Sequence, residues 1–226
     1  MANKFFMSFR IYMQTDYQNN IAFKTRIRIV DNRGFQAITK ELKRKSTLVE
    51  ITHWDILEKK TLFKSYAVDA KNIQTKFIRT CTGILIANKG QNASLFGHFY
   101  HSLENIQASK QLEPHIKGSN AIIIGSKSIG RYSRELFDTL RDKVRKKNIP
   151  MTLMKFKDTG CEAHMAYTAD NDELFLCIHN VDTHKCVQNM EDLKKAMGTL
   201  KISETDSIEF ETRTKSFWVK FKNLFK

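Results

Sequence analysis

The sequence predicts an α/β fold, a strand-rich mixed-sheet sandwich flanked by helices. Three observations predict it. Closely spaced strand-like segments follow one another at 73–79, 83–88 and 94–100. A continuous apolar run, "NAIIIG" (120–125), leads into an amphipathic stretch over 131–147 and then a new strand-like segment at 151–156. Strand, helix and strand in that order make a crossover unit. Both kinds of segment recur further on, at 173–179 and 189–200.

Each element has its own cause. "TRIRIV" (25–30) alternates basic with branched apolar residues, as a half-buried strand does. "GFQAITKELKRK" (34–45) sets Phe35, Ile38 and Leu42 at helical spacing. "TLVEIT" (47–52) reads as a strand. "IQTKFIR" (73–79), "GILIAN" (83–88) and "SLFGHFY" (94–100) are strands, the last two joined across the turn residues "KGQN". The unbroken apolar run at 120–125 marks a strand buried on both faces. In 131–147, Leu136, Leu140 and Val144 recur at four-residue steps with Phe137 beside them, which is an amphipathic helix of about four turns. "MTLMKF" (151–156) and "ELFLCIH" (173–179) are further strands, and "NMEDLKKAMGTL" (189–200) is expected as a helix.

Three segments follow: residues 1–70 as an N-terminal extension packed on or preceding the core, 71–200 as the core, and 201–226 as a C-terminal strand and basic amphipathic helix. On that helix Phe217, Trp218, Phe221, Leu224 and Phe225 share one face, with Lys220, Lys222 and Lys226 elsewhere. It would dock on its own core, or lie on an anionic membrane or an acidic protein surface.

With 226 residues, 41% of them hydrophobic, the chain can bury one large core, and two prolines and nine glycines leave little for long linkers. No apolar run approaches the roughly 20 residues that cross a bilayer. Arg10 interrupts the apolar start "MANKFFMSFRIYM" before a signal-type segment forms, so a cytosolic protein without a signal peptide is expected. Four cysteines without a CxxC pair exclude a disulfide scaffold and a zinc ribbon. The net charge of +14 permits nucleic acid, an anionic membrane or an acidic protein as partner. Its runs at 24–28, 40–45, 141–148 and the last dozen residues are ordinarily solvated faces. No nucleic-acid recognition motif accompanies them, so nucleic acid is not the expected partner.

The candidate chemistry lies in "TKFIRTCTGILIANKGQNASLFGHFYH" (75–101). A lone cysteine in such a region is ordinarily a small buried hydrophobe, and a lone histidine a satisfied structural residue. Three details point further. Thr80, Thr82 and Gly83 flank Cys81, so the backbone there can turn and offer N–H groups of residues 80–82 to an oxyanion. The "KGQN" turn folds two strands back and can bring His98 alongside Cys81. Thr75, six residues before the cysteine in the same expected strand, can orient an imidazole.

Rival constellations are weaker. "CIHNVDTHKC" (177–186) offers C-x-H and H-x-C, but its spacing fits no usual zinc finger or ribbon, and a polar hairpin reads better. His101 competes with His98, at an odd offset that turns it to the other sheet face. "GSKSIG" (125–130) has the strand-to-helix context of an anion site, yet matches neither nucleotide-binding fingerprint.

Thr75, "TC" at 80–81 and "GH" at 97–98 together resemble the chemotaxis glutamine deamidase family, CheD, whose catalytic arrangement is shared by deamidase toxins of the cytotoxic necrotizing factor type. The segment "AIIIGSKSIGRYSRELFDTLRDKVRKKNIPMTLMKFKDTGC" is similar to that family's strand, glycine turn, amphipathic helix, Ile-Pro strand and Asp-x-Gly segment, with Asp158 and Gly160 at the last. The likeness spans about residues 70–180. The chain departs from the pattern at Arg79 and Cys161, where the family has glycine. The resemblance implies a catalytic core over 71–200 and a protein-glutamine deamidase, with Cys81 as nucleophile, His98 as acid and base, and Thr75 as the group that fixes the imidazole. Oxyanion donors would come from the backbone of Thr80, Cys81 and Thr82. No metal or organic cofactor is required, and the partner is a protein bearing a reactive glutamine. The extra basic segments fit a bacterial effector or toxin-like enzyme delivered into a host cytosol. The imidazole should lower the Cys81 pKa, making it the most readily alkylated of the four thiols. Two alternatives stay open: a related thiol acyl-transferase, such as a transglutaminase or protease, and a basic nucleic-acid- or membrane-binding module with a silent site.

Overall fold

Branched apolar residues at alternate positions of "TRIRI" bury Ile27 and Ile29 and leave Arg26 and Arg28 half-buried, so Thr25–Ile29 forms the first strand, β1. The computed structural model describes residues 25–45, 47–52, 65–88, 91–126 and 130–211. The expected aromatic helix face at 217–225, Lys89 and Gly90 of the turn, and the middle of "GSKSIG" lie outside the described residues. In chain order β1 is followed by α1 (Asn32–Lys45), β2 (Val49–Ile51), β3 (Tyr66–Ala67), β4 (Asn72–Ile78), β5 (Thr82–Asn88) and β6 (Gln91–Phe99). Then come α2 (Leu103–Ala108), a 3-10 segment (Ser109–His115), β7 (Asn120–Gly125), α3 (Arg131–Lys146), β8 (Met151–Phe156) and β9 (Cys161–Thr168). β10 (Glu173–Asn180), α4 (Met190–Ala196), β11 (Met197–Lys201) and β12 (Asp206–Phe210) complete it.

Among the described residues the strands form two mixed sheets of six. The first runs β12-β1-β10-β9-β4-β2 and the second β11-β8-β7-β5-β6-β3. β7 and β8 pair in parallel, as the crossover through α3 requires. Inner faces of both sheets meet in one core that includes Ile27, Ile73, Ile78, Leu85, Phe96, Ile124 and Met165. On the outer face of the second sheet, Leu136, Phe137, Leu140 and Val144 of α3 pack over Ile84, Ile86, Ile123 and Leu95. Full burial of each such side chain contributes about 1.5–3 kcal/mol. On the outer face of the first sheet, Phe35, Ile38 and Leu42 of α1 cover Ala166, Phe175 and Cys177. Asp31 caps α1 by accepting the Gly34 N–H at 2.7 Å. The result is the expected strand-rich α/β sandwich with helices outside it.

Two features differ from expectation. Residues 25–67 place β1 between β10 and β12, and β2 and β3 at sheet edges, so both sheets extend across the expected boundary at 70/71. β12 likewise carries the first sheet past residue 200, by parallel pairing with β1. The helix expected over 189–200 stops at Ala196. Gly198 disfavours helix, and "MGTLK" instead lines the exposed edge of β8 as β11, with a register shift at the glycine. Basic residues fall in the last turns of α1 and α3, where they face the negative end of the helix dipole. Arg28 serves the fold, since it pairs with Glu173, Glu209 and Glu211. No described helix is long and apolar enough to cross a membrane.

Gly83 sets the distance between the sheets at one point. A Cβ there would stand 2.7 Å from Ile78 Cδ1 and 2.8 Å from Met165 Sδ, both on the opposing sheet. Gly83→Ala should therefore overpack this contact and cost about 1–3 kcal/mol, read as a lowered midpoint in urea denaturation.

Candidate active site

The chain leaves the first sheet at Ile78 and enters the second at Thr82, so the bend at 79–81 crosses between the sheets with Cys81 at its end. Thr75 and Cys81 therefore do not share a strand, contrary to the expectation. Thr75 belongs to β4 of the first sheet, and His98 to β6 of the second. In the ladder between β5 and β6, His98 stands opposite Gly83. Cys81 lies two residues before Gly83, at the end of the bend that leads into β5. The expected antiparallel fold-back of β5 on β6 is present.

The close approach at Gly83 lets a hydrogen bond span the sandwich. Thr75 Oγ1 and His98 Nδ1 are 2.7 Å apart, and both residues are fully buried. The Thr75 hydroxyl donates to the Ile51 carbonyl at 3.0 Å, so its oxygen accepts the proton on Nδ1. The basic nitrogen of the neutral ring is then Nε2, on the far side from Thr75. Three elements fix this tautomer: β2 supplies the carbonyl, β4 the hydroxyl and β6 the imidazole.

Cys81 is 3% exposed, and burial pushes its pKa up to about 11, with a hydrogen bond from the Thr80 side chain opposing the rise. The resting group is a thiol. The expectation that Cys81 is the most readily alkylated thiol is corrected by this burial. Cys186, the one cysteine among the four that is not buried, should label first with iodoacetamide at neutral pH, and mass spectrometry of the digest checks the order.

Thr80 and Cys81 lie in the bend, whereas Thr82 begins β5 between Phe99 and Gly125. The Cys81 carbonyl accepts from Ser126 N–H at 3.3 Å, and alternation along the strand turns the Thr82 amide toward Phe99. Thr82 Oγ1 instead meets His101 Nε2 at 3.0 Å, so His101 belongs to the other side of β5. Burial, with Lys155 nearby, pushes the His101 pKa down to about 4. Arg79 Nε donates to the Thr159 carbonyl at 3.1 Å, tying the bend to the turn before β9. Asp158 closes that turn by accepting the Gly160 N–H at 2.9 Å. At this end of the sandwich lies a cavity of about 720 Å³, lined by Asp31, Asp158, Cys161, Asn180, Cys186 and Asp192 among others.

The constellation at 177–186 does not form a four-ligand centre. The Cys177 side chain hydrogen-bonds Cys186, which with burial raises the Cys177 pKa, and His184 is exposed in the turn at a φ of 54°. His179 faces Glu162 across the ladder of β9 and β10. The metal-compatible grouping among the described residues is Glu162, His164 and His179. Glu162 and His164 escape a reading of the sequence because β9, "CEAHMAYT", does not stand out as a strand. The E-x-H alternation opposite C-x-H is the signal that could have found them.

Compared with known proteins, the chain matches no family model and no curated relative.

Proposed function

We propose that the protein is a cysteine-dependent protein-glutamine deamidase, a member of the group that its Cys81, His98 and Thr75 pattern resembles. The observation that carries this reading is the 2.7 Å contact between Thr75 and His98 across two sheets, with His98 opposite Gly83, two residues after Cys81. A hydroxyl that orients one imidazole nitrogen so that the other can serve as base for a thiol is the third-group logic of a catalytic triad.

Because burial keeps Cys81 protonated, His98 acts first as a general base. Nε2 takes the thiol proton as sulfur bonds to the carboxamide carbon of a glutamine side chain. Backbone N–H groups of the bend at Thr80 and Cys81 would hold the oxyanion. Collapse of the tetrahedral adduct breaks the C–N bond, and the proton on Nε2 leaves with the nitrogen as ammonia. Water, deprotonated by the same nitrogen, then hydrolyses the thioester to glutamate and returns the thiol. A neutral side chain becomes anionic, which can switch an interface of the modified protein. With a net charge of +14, the protein would favour an acidic partner, and a cytosolic effector role fits this reading. Burial of Cys81 also suits a second reading, a binding module with a silent site.

A Thr75 series separates the two. Thr75→Ala removes the hydroxyl that orients His98 Nδ1 and the hydrogen bond it donates to the Ile51 carbonyl. The loss of about 1–3 kcal/mol corresponds to a roughly tenfold to hundredfold drop in ammonia release. Thr75→Ser keeps the hydroxyl and should restore most of the rate. Equal activity of the alanine and serine variants would contradict a triad.

A further inference from the structure

Three polar side chains on the outer face of the first sheet have no part in the chemistry at Cys81. Glu162 and His164 stand two apart on β9, and His179 pairs with Glu162 from β10, so all three project from one face. His179 Nε2 lies 3.3 Å and His164 Nε2 3.9 Å from the same Glu162 oxygen. One ligand atom from each residue falls within 4.8 Å of the other two. Ligand atoms around a tetrahedral zinc ion, with bonds of about 2.0–2.1 Å, stand roughly 3.3–3.4 Å apart. Small side-chain rotations therefore close the set. The side chains are 12%, 7% and 12% exposed, and the rings of Phe35 and Phe77 pack on His164 at 5.5 and 5.2 Å.

We propose that Glu162, His164 and His179 bind a divalent transition-metal ion of the zinc class, with its fourth position open. Two imidazoles and one carboxylate suit such an ion and not magnesium or calcium, which take oxygen ligands.

The site contains a competitor for the metal. Phe77 N–H donates to His164 Nδ1 at 3.1 Å, which places the proton of the neutral ring on Nε2. A metal on Nε2 moves that proton to Nδ1, where it would face the Phe77 N–H. Binding therefore requires the Phe77 amide to let go. Phe77 sits at a φ of 63° in the bulge between Thr75 and Ile78. The metal would act on the segment that starts two residues after Thr75.

The test titrates zinc ions into the full chain against a chromophoric chelator. One equivalent is expected to bind, and Glu162→Gln and His179→Gln should each weaken it by at least about tenfold, the floor set by losses outside the ligand shell. Cys186→Ser should bind as the unaltered protein does, although Cys186 bridges to His179. Cobalt ions in the unaltered protein should give tetrahedral d–d bands without a thiolate charge-transfer band, a reading that depends on no variant folding. The Phe77 amide should exchange faster with zinc present. Failure to bind one equivalent, unchanged affinity in both ligand variants, loss in Cys186→Ser, a thiolate band, or unchanged exchange at Phe77 would each overturn the proposal.

Discussion

Cys81→Ser is expected to abolish ammonia release from glutamine-bearing protein, by about four to six orders of magnitude, the loss that follows removal of one member of a nucleophile–base unit. Serine is nearly the same size, and position 81 is a tight, 3%-exposed site, so the variant should fold. A hydroxyl is a far weaker nucleophile than a thiol and is harder for an imidazole to deprotonate. His98→Gln should lose activity to a similar extent: glutamine can still donate to Thr75 but supplies no base. Ammonia release by both variants, alongside their melting temperatures, checks this. Activity within tenfold of the unaltered protein in either correctly folded variant would exclude the mechanism.

The second large effect concerns stability at the opposite end of the sandwich. Asp206 accepts from Asn120 Nδ2 at 2.5 Å and from the Thr152 hydroxyl, which ties β12 of the first sheet to β7 and β8 of the second. Asn120 Nδ2 also reaches Thr25 Oγ1 at 3.1 Å, and Thr25 in turn donates to Asp172 at 2.9 Å. Burial, with the charge of Asp172 adding to it, raises the Asp206 pKa from 3.8 to about 6. The folded pKa lies above the unfolded one, so the folded state holds this proton more tightly. The contribution to stability is present in full below about pH 4 and is lost as pH rises through about 6, a swing of about 3 kcal/mol. Urea denaturation from pH 4 to 7 should show the stability of the unaltered protein falling relative to Asp206→Asn across that window. A flat difference between the two curves would contradict the assignment.

Much of the fold was legible because its elements follow simple periods. Phe35, Ile38 and Leu42, and Leu136, Leu140 and Val144, repeat at helical spacing and are buried as that spacing requires. "NAIIIG" has no polar face because β7 lies inside two layers. The division of strands between sheets was not legible. Thr75 and Cys81 are six residues apart, and nothing local in the sequence shows that the chain changes sheet between them. β9 stayed hidden because alanine, methionine and one glutamate carry weak strand preference, while its place depends on cross-strand neighbours. The site residues were legible as types and order. Their geometry required the long-range pairing of β2, β4 and β6. The thiol state of Cys81 is a burial effect that no motif contains.

The reading of Cys81, His98 and Thr75 as a deamidation site is tested most directly by looking for its product. Purified protein and its Cys81→Ser variant are incubated with cell lysate, and tryptic peptides are compared by mass spectrometry for conversion of glutamine to glutamate. The expected result is a small set of protein glutamines converted in full only by the unaltered protein, slowed by Thr75→Ala and restored by Thr75→Ser. Identical glutamate content with the unaltered protein and with Cys81→Ser, across lysates in which the protein is folded, would contradict it.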